Sequence, residues 1–181
     1  MTTWKTRGLR GSTLEELINQ TNEQYRIRKL ALIQKIPTPI TPINIDKKSR
    51  QITLAYFDQK STVDYIGAVQ GYPVCFDAKE CRTDTFPLQN VHQHQVDFMS
   101  DFENQGGLAF LLIYFTARDE FYYMPMKDLR RFWNRAAQGG RRSVRFEELD
   151  HSYRIPKGKN VLLPYLDMIQ KDLESREQEQ L

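Results

Sequence analysis

Asp64, Asp77 and Lys79 stand in the stretch STVDYIGAVQGYPVCFDAKE, residues 61–80, with twelve residues between the two carboxylates and one between Asp77 and the lysine. YPVCFDAKE has the composition of a strand, in which alternate side chains share a face. Val74, Phe76 and Ala78 then point one way, and Cys75, Asp77 and Lys79 the other. A tight return at Gln70-Gly71 would bring Asp64, at the start of the preceding strand-like segment, alongside Asp77. Charges at the end of an apolar run are costly unless they are paired or hold a metal. Two chemistries fit. One is an ion pair near the surface, worth little to stability. The other is metal-dependent cleavage of a phosphodiester, in which hard carboxylate oxygens hold magnesium, the cation polarises the phosphate and activates water, and the lysine stabilises charge on phosphorus. The spacing Asp, twelve residues, Asp-x-Lys arises often by chance and leaves both open.

The helix that follows bears on the choice. Val91, Gln95, Phe98 and Phe102 recur in steps of four, three and four, one buried stripe, of which Gln95 is the single polar member. A glutamine on an inward stripe needs a partner. That partner is either backbone or the acidic pair with its metal. His92 and His94, two apart on a helix, are expected on different faces, which argues against a two-histidine metal site.

Elements able to position these residues are legible along the chain. Ser12-Thr13-Leu14-Glu15 has the form of a capping box, and Leu14, Leu17, Ile18, Thr21, Tyr25 and Leu32 extend an apolar stripe that predicts a helix to about residue 34. Glu15 lies in its first turn. Pro37, Pro39 and Pro42 forbid helix beyond it. Residues 43–56 then read as two strands around a basic turn holding Lys47, Lys48 and Arg50, either an ordinary edge hairpin guarded by lysines or a projecting cationic tip. GLAFLLIYF is the nearly continuous apolar run of a central strand. FYYMPM is its neighbour. MKDLRRFWNRA, closed by Gly139-Gly140, and PYLDMIQKDLESREQ are helices, the second fading into a polar end over 172–181. This order predicts an α/β fold, a mixed central sheet flanked by helices.

The 181 residues, 40% hydrophobic and 27% charged, suit one soluble domain. No apolar run is long enough to span a membrane and the start lacks a secretory h-region, so a cytoplasmic location and no membrane partner are expected. Cys75 and Cys81 are read as free thiols. The net charge of +3 does not by itself demand a nucleic-acid partner. Basic residues nevertheless gather in WKTRGLR, YRIRK, DKKSR and GGRRSVR, four segments that suggest a composite cationic surface.

RGSTLEELINQTN, PTPI, STVDYIG, FDAKE and FPLQNVHQHQ, in that order from about Arg10 to Trp133, resemble the RecU-type Holliday junction resolvases of Gram-positive bacteria and their phages. The resemblance implies a restriction-endonuclease-like fold with a PD-(D/E)xK nuclease core. It also implies a homodimer that uses magnesium, with manganese as a substitute, to nick four-way DNA junctions symmetrically in recombination and repair. Carried across, the family's metal ligands fall on Thr62, Asp64, Asp77 and Gln95, and its transition-state lysine on Lys79. Glu15 is a further acidic candidate. The hairpin over 38–56 becomes the stalk that enters the junction. The basic arm over 1–11, with Arg7 and Arg10, and the stalk tip with Lys47, Lys48 and Arg50 become DNA contacts. Strand-exchange or branch-migration proteins are implied as partners. Asp77 stands where the family's strand usually has Glu, and the short N-terminal extension is what a phage or prophage copy would have. A nuclease of the same superfamily acting on duplex or flap DNA, and a non-catalytic junction-binding recombination protein, are the rival readings.

Overall fold

The computed structural model describes residues 13–57, 62–158 and 161–179. Arg7, Arg10 and Ser12 lie outside them. Chain order is α1 (Thr13–Ile27), β1 (Ala31–Lys35), β2 (Ile40–Asp46), β3 (Gln51–Phe57), β4 (Tyr65–Val69), β5 (Tyr72–Cys81), β6 (Thr85–Pro87), α2 (Gln93–Asn104), β7 (Leu108–Phe115), β8 (Glu120–Pro125), α3 (Met126–Ala137), β9 (Ser143–Arg145), β10 (Arg154–Ile155) and α4 (Leu166–Glu179). Six strands form the main sheet in the order β1-β4-β5-β7-β8-β10. The β5–β7 pair is parallel and the rest antiparallel. The predicted mixed sheet flanked by helices is therefore present.

The first helix is shorter than its stripe predicts. Lys29 turns into the left-handed region at φ 58, and the Leu30 N–H donates back to the Tyr25 carbonyl at 2.9 Å. This closure ends the helix as a left-handed cap does. ALIQK, apolar and ambiguous between helix and strand, becomes β1, the edge strand paired with β4. The chain is held close there: a Cβ on Gly67 of β4 would collide with the Leu32 carbonyl oxygen of β1.

Between β4 and β5 the two residues Gln70 and Gly71 both have positive φ, 48° and 94°, the geometry of a tight hairpin turn whose twist matches its strands. The turn sets Tyr65 opposite Phe76. Their rings stack at 4.8 Å, Phe76 stacks on Phe110 of β7 at 4.8 Å, and Phe110 on Tyr123 of β8 at 4.4 Å. Such pairs are each worth about 0.5–1.5 kcal/mol beyond their buried area. This aromatic row runs across four strands on the side covered by Tyr25 of α1 and Tyr165, which precedes α4. It pins the register of β4 against β5, because a slip of one residue would turn every side chain to the other face.

β2 and β3 form a separate two-stranded sheet. Ile40, Ile43, Ile45, Ile52, Leu54, Tyr56 and Phe57 are all exposed on it, so it contributes no side chain to the core. The tip is ordered locally: Asp46 accepts from the Lys48 N–H at 2.9 Å and the Ser49 hydroxyl at 2.6 Å. Cys75 and Cys81 are buried and free. No helix among the described residues is long and apolar enough to cross a membrane.

Candidate functional site

The site is built where β4 begins and β5 nears its end. The paired register ends at Tyr65–Phe76, and Asp64, the residue before it, lies beside Asp77. One oxygen of Asp64, Oδ2, accepts the Ala78 N–H at 2.8 Å, extending the ladder with a side chain and fixing the carboxylate. Thr62 sits half-buried in the bend two residues earlier. Phe76 faces the aromatic row, so alternation sends Asp77 and Lys79 to the opposite side, toward α2.

Asp77 has no exposed surface. Its Oδ1 accepts from the Gln95 amide at 2.9 Å. Its Oδ2 is ion-paired with the Lys79 ammonium but accepts no hydrogen bond of good angle. Burial pushes the Asp77 carboxyl up to about 7; Lys79 opposes the shift and the neighbouring Asp64 adds to it. Two carboxylates so placed cannot both ionise comfortably without a cation between them. The under-satisfied oxygen and the adjoining Asp64 are the donor chemistry a hard divalent cation takes. The residues therefore fit such an ion. Among the described residues no three His, Cys, Asp or Glu side chains cluster, so two carboxylates are the acidic complement of this site.

Gln95 reaches Asp77 as its stripe requires, but by its nitrogen. Its Oε1 accepts the His92 N–H at 3.0 Å at the start of α2. Gln95 thus ties the helix entry to the carboxylate, and a ligand role would require it to give up the His92 contact. The imidazoles of His92 and His94 stack at 5.4 Å instead of pointing apart. His92 precedes the helix, so the helical angle between successive residues does not apply to it.

Glu15 accepts from Lys35 of β1 at 2.5 Å, tying α1 to the strand end that precedes the β2–β3 hairpin. Glu80, which sequence reasoning passed over, satisfies one donor at the start of α1: its Oε1 accepts the Leu14 N–H at 2.9 Å. The available signal was position, since alternation aims Glu80 away from Lys79 and toward the helix face. Lys47, Lys48 and Arg50 lie exposed at the tip of the separate β2–β3 hairpin. Arg7 and Arg10 fall outside the described residues.

Residues 9–171 match the family described as RecU, Recombination protein U. A protein of Levilactobacillus brevis named Holliday junction resolvase RecU is 41% identical over 167 residues, covering 90% of this chain and 83% of its own. A namesake from Leuconostoc mesenteroides is 40% identical over 173 residues, covering 93% and 84%, and one from Bacillus cereus is 40% identical over 168, covering 88% and 84%. A solved structure titled as Archaeoglobus fulgidus Hjc, a Holliday junction resolvase from an archaeal hyperthermophile, aligns with a TM-score of 0.39 at 8% identity, over 64% of this chain and 75% of that one. That likeness is too loose to bear on the site. The family match spans nearly the whole chain and the bacterial relatives agree with it over nine-tenths of its length: the chain belongs to the RecU family.

Proposed function

We propose that this chain is an endonuclease that resolves four-way DNA junctions, cutting phosphodiesters with a divalent cation held at Asp64 and Asp77. Family membership supports the reaction class. The observation that carries the site is the buried Asp77 carboxylate, crowded by Asp64 and left with an oxygen that is ion-paired with Lys79 but accepts no hydrogen bond of good angle. A purely structural ion pair would have no need of a second carboxylate beside it.

Asp64 and Asp77 bind the cation, magnesium in our reading with manganese as a substitute, and the Thr62 hydroxyl adds to its shell. When bound, the cation polarises the scissile phosphate and makes water a competent nucleophile. Gln95 holds the Asp77 carboxylate in one orientation from the start of α2. Lys79 is 18% exposed at its side chain, enough for its ammonium to leave Asp77 and meet a phosphate oxygen where negative charge builds in the transition state. Glu15, paired with Lys35, contributes through the placement of α1.

The β2–β3 hairpin and its Lys47, Lys48 and Arg50 tip act as the stalk that enters the junction, with the arm carrying Arg7 and Arg10 as a further phosphate contact. Phosphate contacts of this kind make binding strongly salt-dependent. Paired nicks require two sites, so the active form is a homodimer in the cytoplasm, working with the strand-exchange or branch-migration machinery. The test is nicking of a mobile four-way junction, with and without magnesium, mapped on all four strands beside linear duplex and flap substrates. Symmetric cation-dependent cuts on the junction are expected. Equal cutting of duplex or flap DNA would instead make the chain a general nuclease of the same chemistry.

A further inference from the structure

A groove of about 400 Å³ opens beside the start of α2 and is closed opposite by α3. Leu88, Gln89, Gln93, Trp133 and Arg142 carry its chemistry. Its two walls are joined: β6 pairs with β9, and the Leu88 N–H donates to the Arg142 carbonyl at 3.1 Å. The groove is therefore preformed. It is also close to the chemistry, because Gln93 lies two residues before Gln95, the residue that clamps Asp77.

Its side chains are of mixed type. Trp133, half-buried against the core, offers an indole face. The exposed Gln89 amide carries both a donor and an acceptor, whereas the Gln93 nitrogen is committed to Asp97 at 2.8 Å. Arg142 is exposed and makes no ion pair among the described residues, while two neighbouring arginines, Arg135 and Arg141, share the one Glu148 carboxylate at 2.6 and 2.7 Å. The fold engages those two guanidiniums with Glu148 and leaves Arg142 to solvent. A flat ring, an amide and a free guanidinium in one groove match the three parts of a nucleotide: a base face to stack on, a base edge to read and a phosphate to pair with.

We propose that this groove is a base-reading subsite for the DNA strand being cut, in which a nucleotide near the scissile phosphate stacks on Trp133, presents its edge to Gln89 and places its phosphate against Arg142. It rests on the nuclease reading of the Asp77 site and adds to it a determinant of where along a junction the cut falls.

The chain has two tryptophans, Trp4 and Trp133, so Trp4→Phe makes Trp133 the sole indole reporter. Titrating that protein with a mobile four-way junction in the absence of divalent cation should quench Trp133 emission at saturation. In the same titration Arg142→Ala should weaken binding about three- to ten-fold and lower the slope of log affinity against log salt by about one. With magnesium, Gln89→Ala should broaden the distribution of cut positions on a junction whose core sequence is randomised. Unchanged emission at saturating junction, or cut positions identical to those of the parent, would overturn the subsite. So would Trp133 emission that changes with protein concentration alone, since the indole would then be a contact between copies. Junction nicking with no quench sinks the subsite and spares the nuclease, whereas quench without nicking does the reverse.

Discussion

Asp77 and Asp172 are both wholly withdrawn from solvent, yet the fold treats them differently. Asp172 of α4 accepts from the Tyr123 hydroxyl at 2.9 Å and from Arg176 at 3.0 Å. Arg176 also donates to Glu103 of α2 at 2.6 Å, and Arg130 of α3 reaches Glu103 at 3.0 Å. Each charge there has an opposite partner, and the chain of contacts ties α4 to β8, α2 and α3. Asp77 has one good hydrogen bond, from Gln95, one ion pair with Lys79, and a like charge beside it. Buried charges that serve the fold are satisfied within the fold. One left short of partners beside a second carboxylate marks a candidate functional site.

Substitutions should separate the two. Asp77→Ala is expected to abolish nicking while leaving junction binding within a few-fold, as read by cleavage and by mobility shift on the same preparation. Nicking by that variant would remove Asp77 from the site. Asp172→Ala should do the converse. Leaving Arg176 and the Tyr123 hydroxyl without their acceptor should destabilise by about 3–5 kcal/mol in denaturant unfolding, with the nicking rate per folded molecule unchanged. Gln95→Leu falls between, loosening Asp77 without removing it, and should weaken cation binding by roughly 10–100-fold in a calorimetric titration.

The pH dependence sharpens the same contrast. The Asp77 carboxyl is raised in the folded state from 3.8 to about 7, so the fold keeps this proton to higher pH than the unfolded chain does. Its contribution to stability is complete below about pH 4 and is lost as pH rises through 7. Without divalent cation, the midpoint of thermal unfolding of the native chain should therefore fall relative to Asp77→Asn across that interval. Adding magnesium above pH 7 should restore it. The smallest effect is at Glu80: Glu80→Ala removes the acceptor for Leu14 N–H and should cost about 0.5–2 kcal/mol, while Glu80→Gln keeps an acceptor and most of the stability.

Local pattern carried a large part of this architecture. The β5 alternation put Asp77 and Lys79 on one face, the Gln70-Gly71 dipeptide predicted the turn, and the run GLAFLLIYF predicted the central strand, because strand period, turn chemistry and full burial each leave a mark within a few residues. β1 was hidden for a local reason too. ALIQK continues the helical stripe of α1, and only the left-handed Lys29 and the unpaired edge of β4 turn it into strand. The bond from Leu14 of α1 to Glu80 spans 66 residues and the tie from Asp172 to Tyr123 spans 49, and no window of sequence contains either pair.

The candidate site divides in the same way. Its residue types and order, Asp64, Asp77, Lys79 and Gln95, are written in the chain, because the period of a strand and the period of a helix sort side chains onto faces before any folding is known. Tertiary structure decided what those residues do to each other. It set Asp64 beside Asp77, aimed the nitrogen of Gln95 at the carboxylate, and left one oxygen short of partners, since these outcomes depend on how β5, β4 and α2 close around one small volume and on how much water that closure removes.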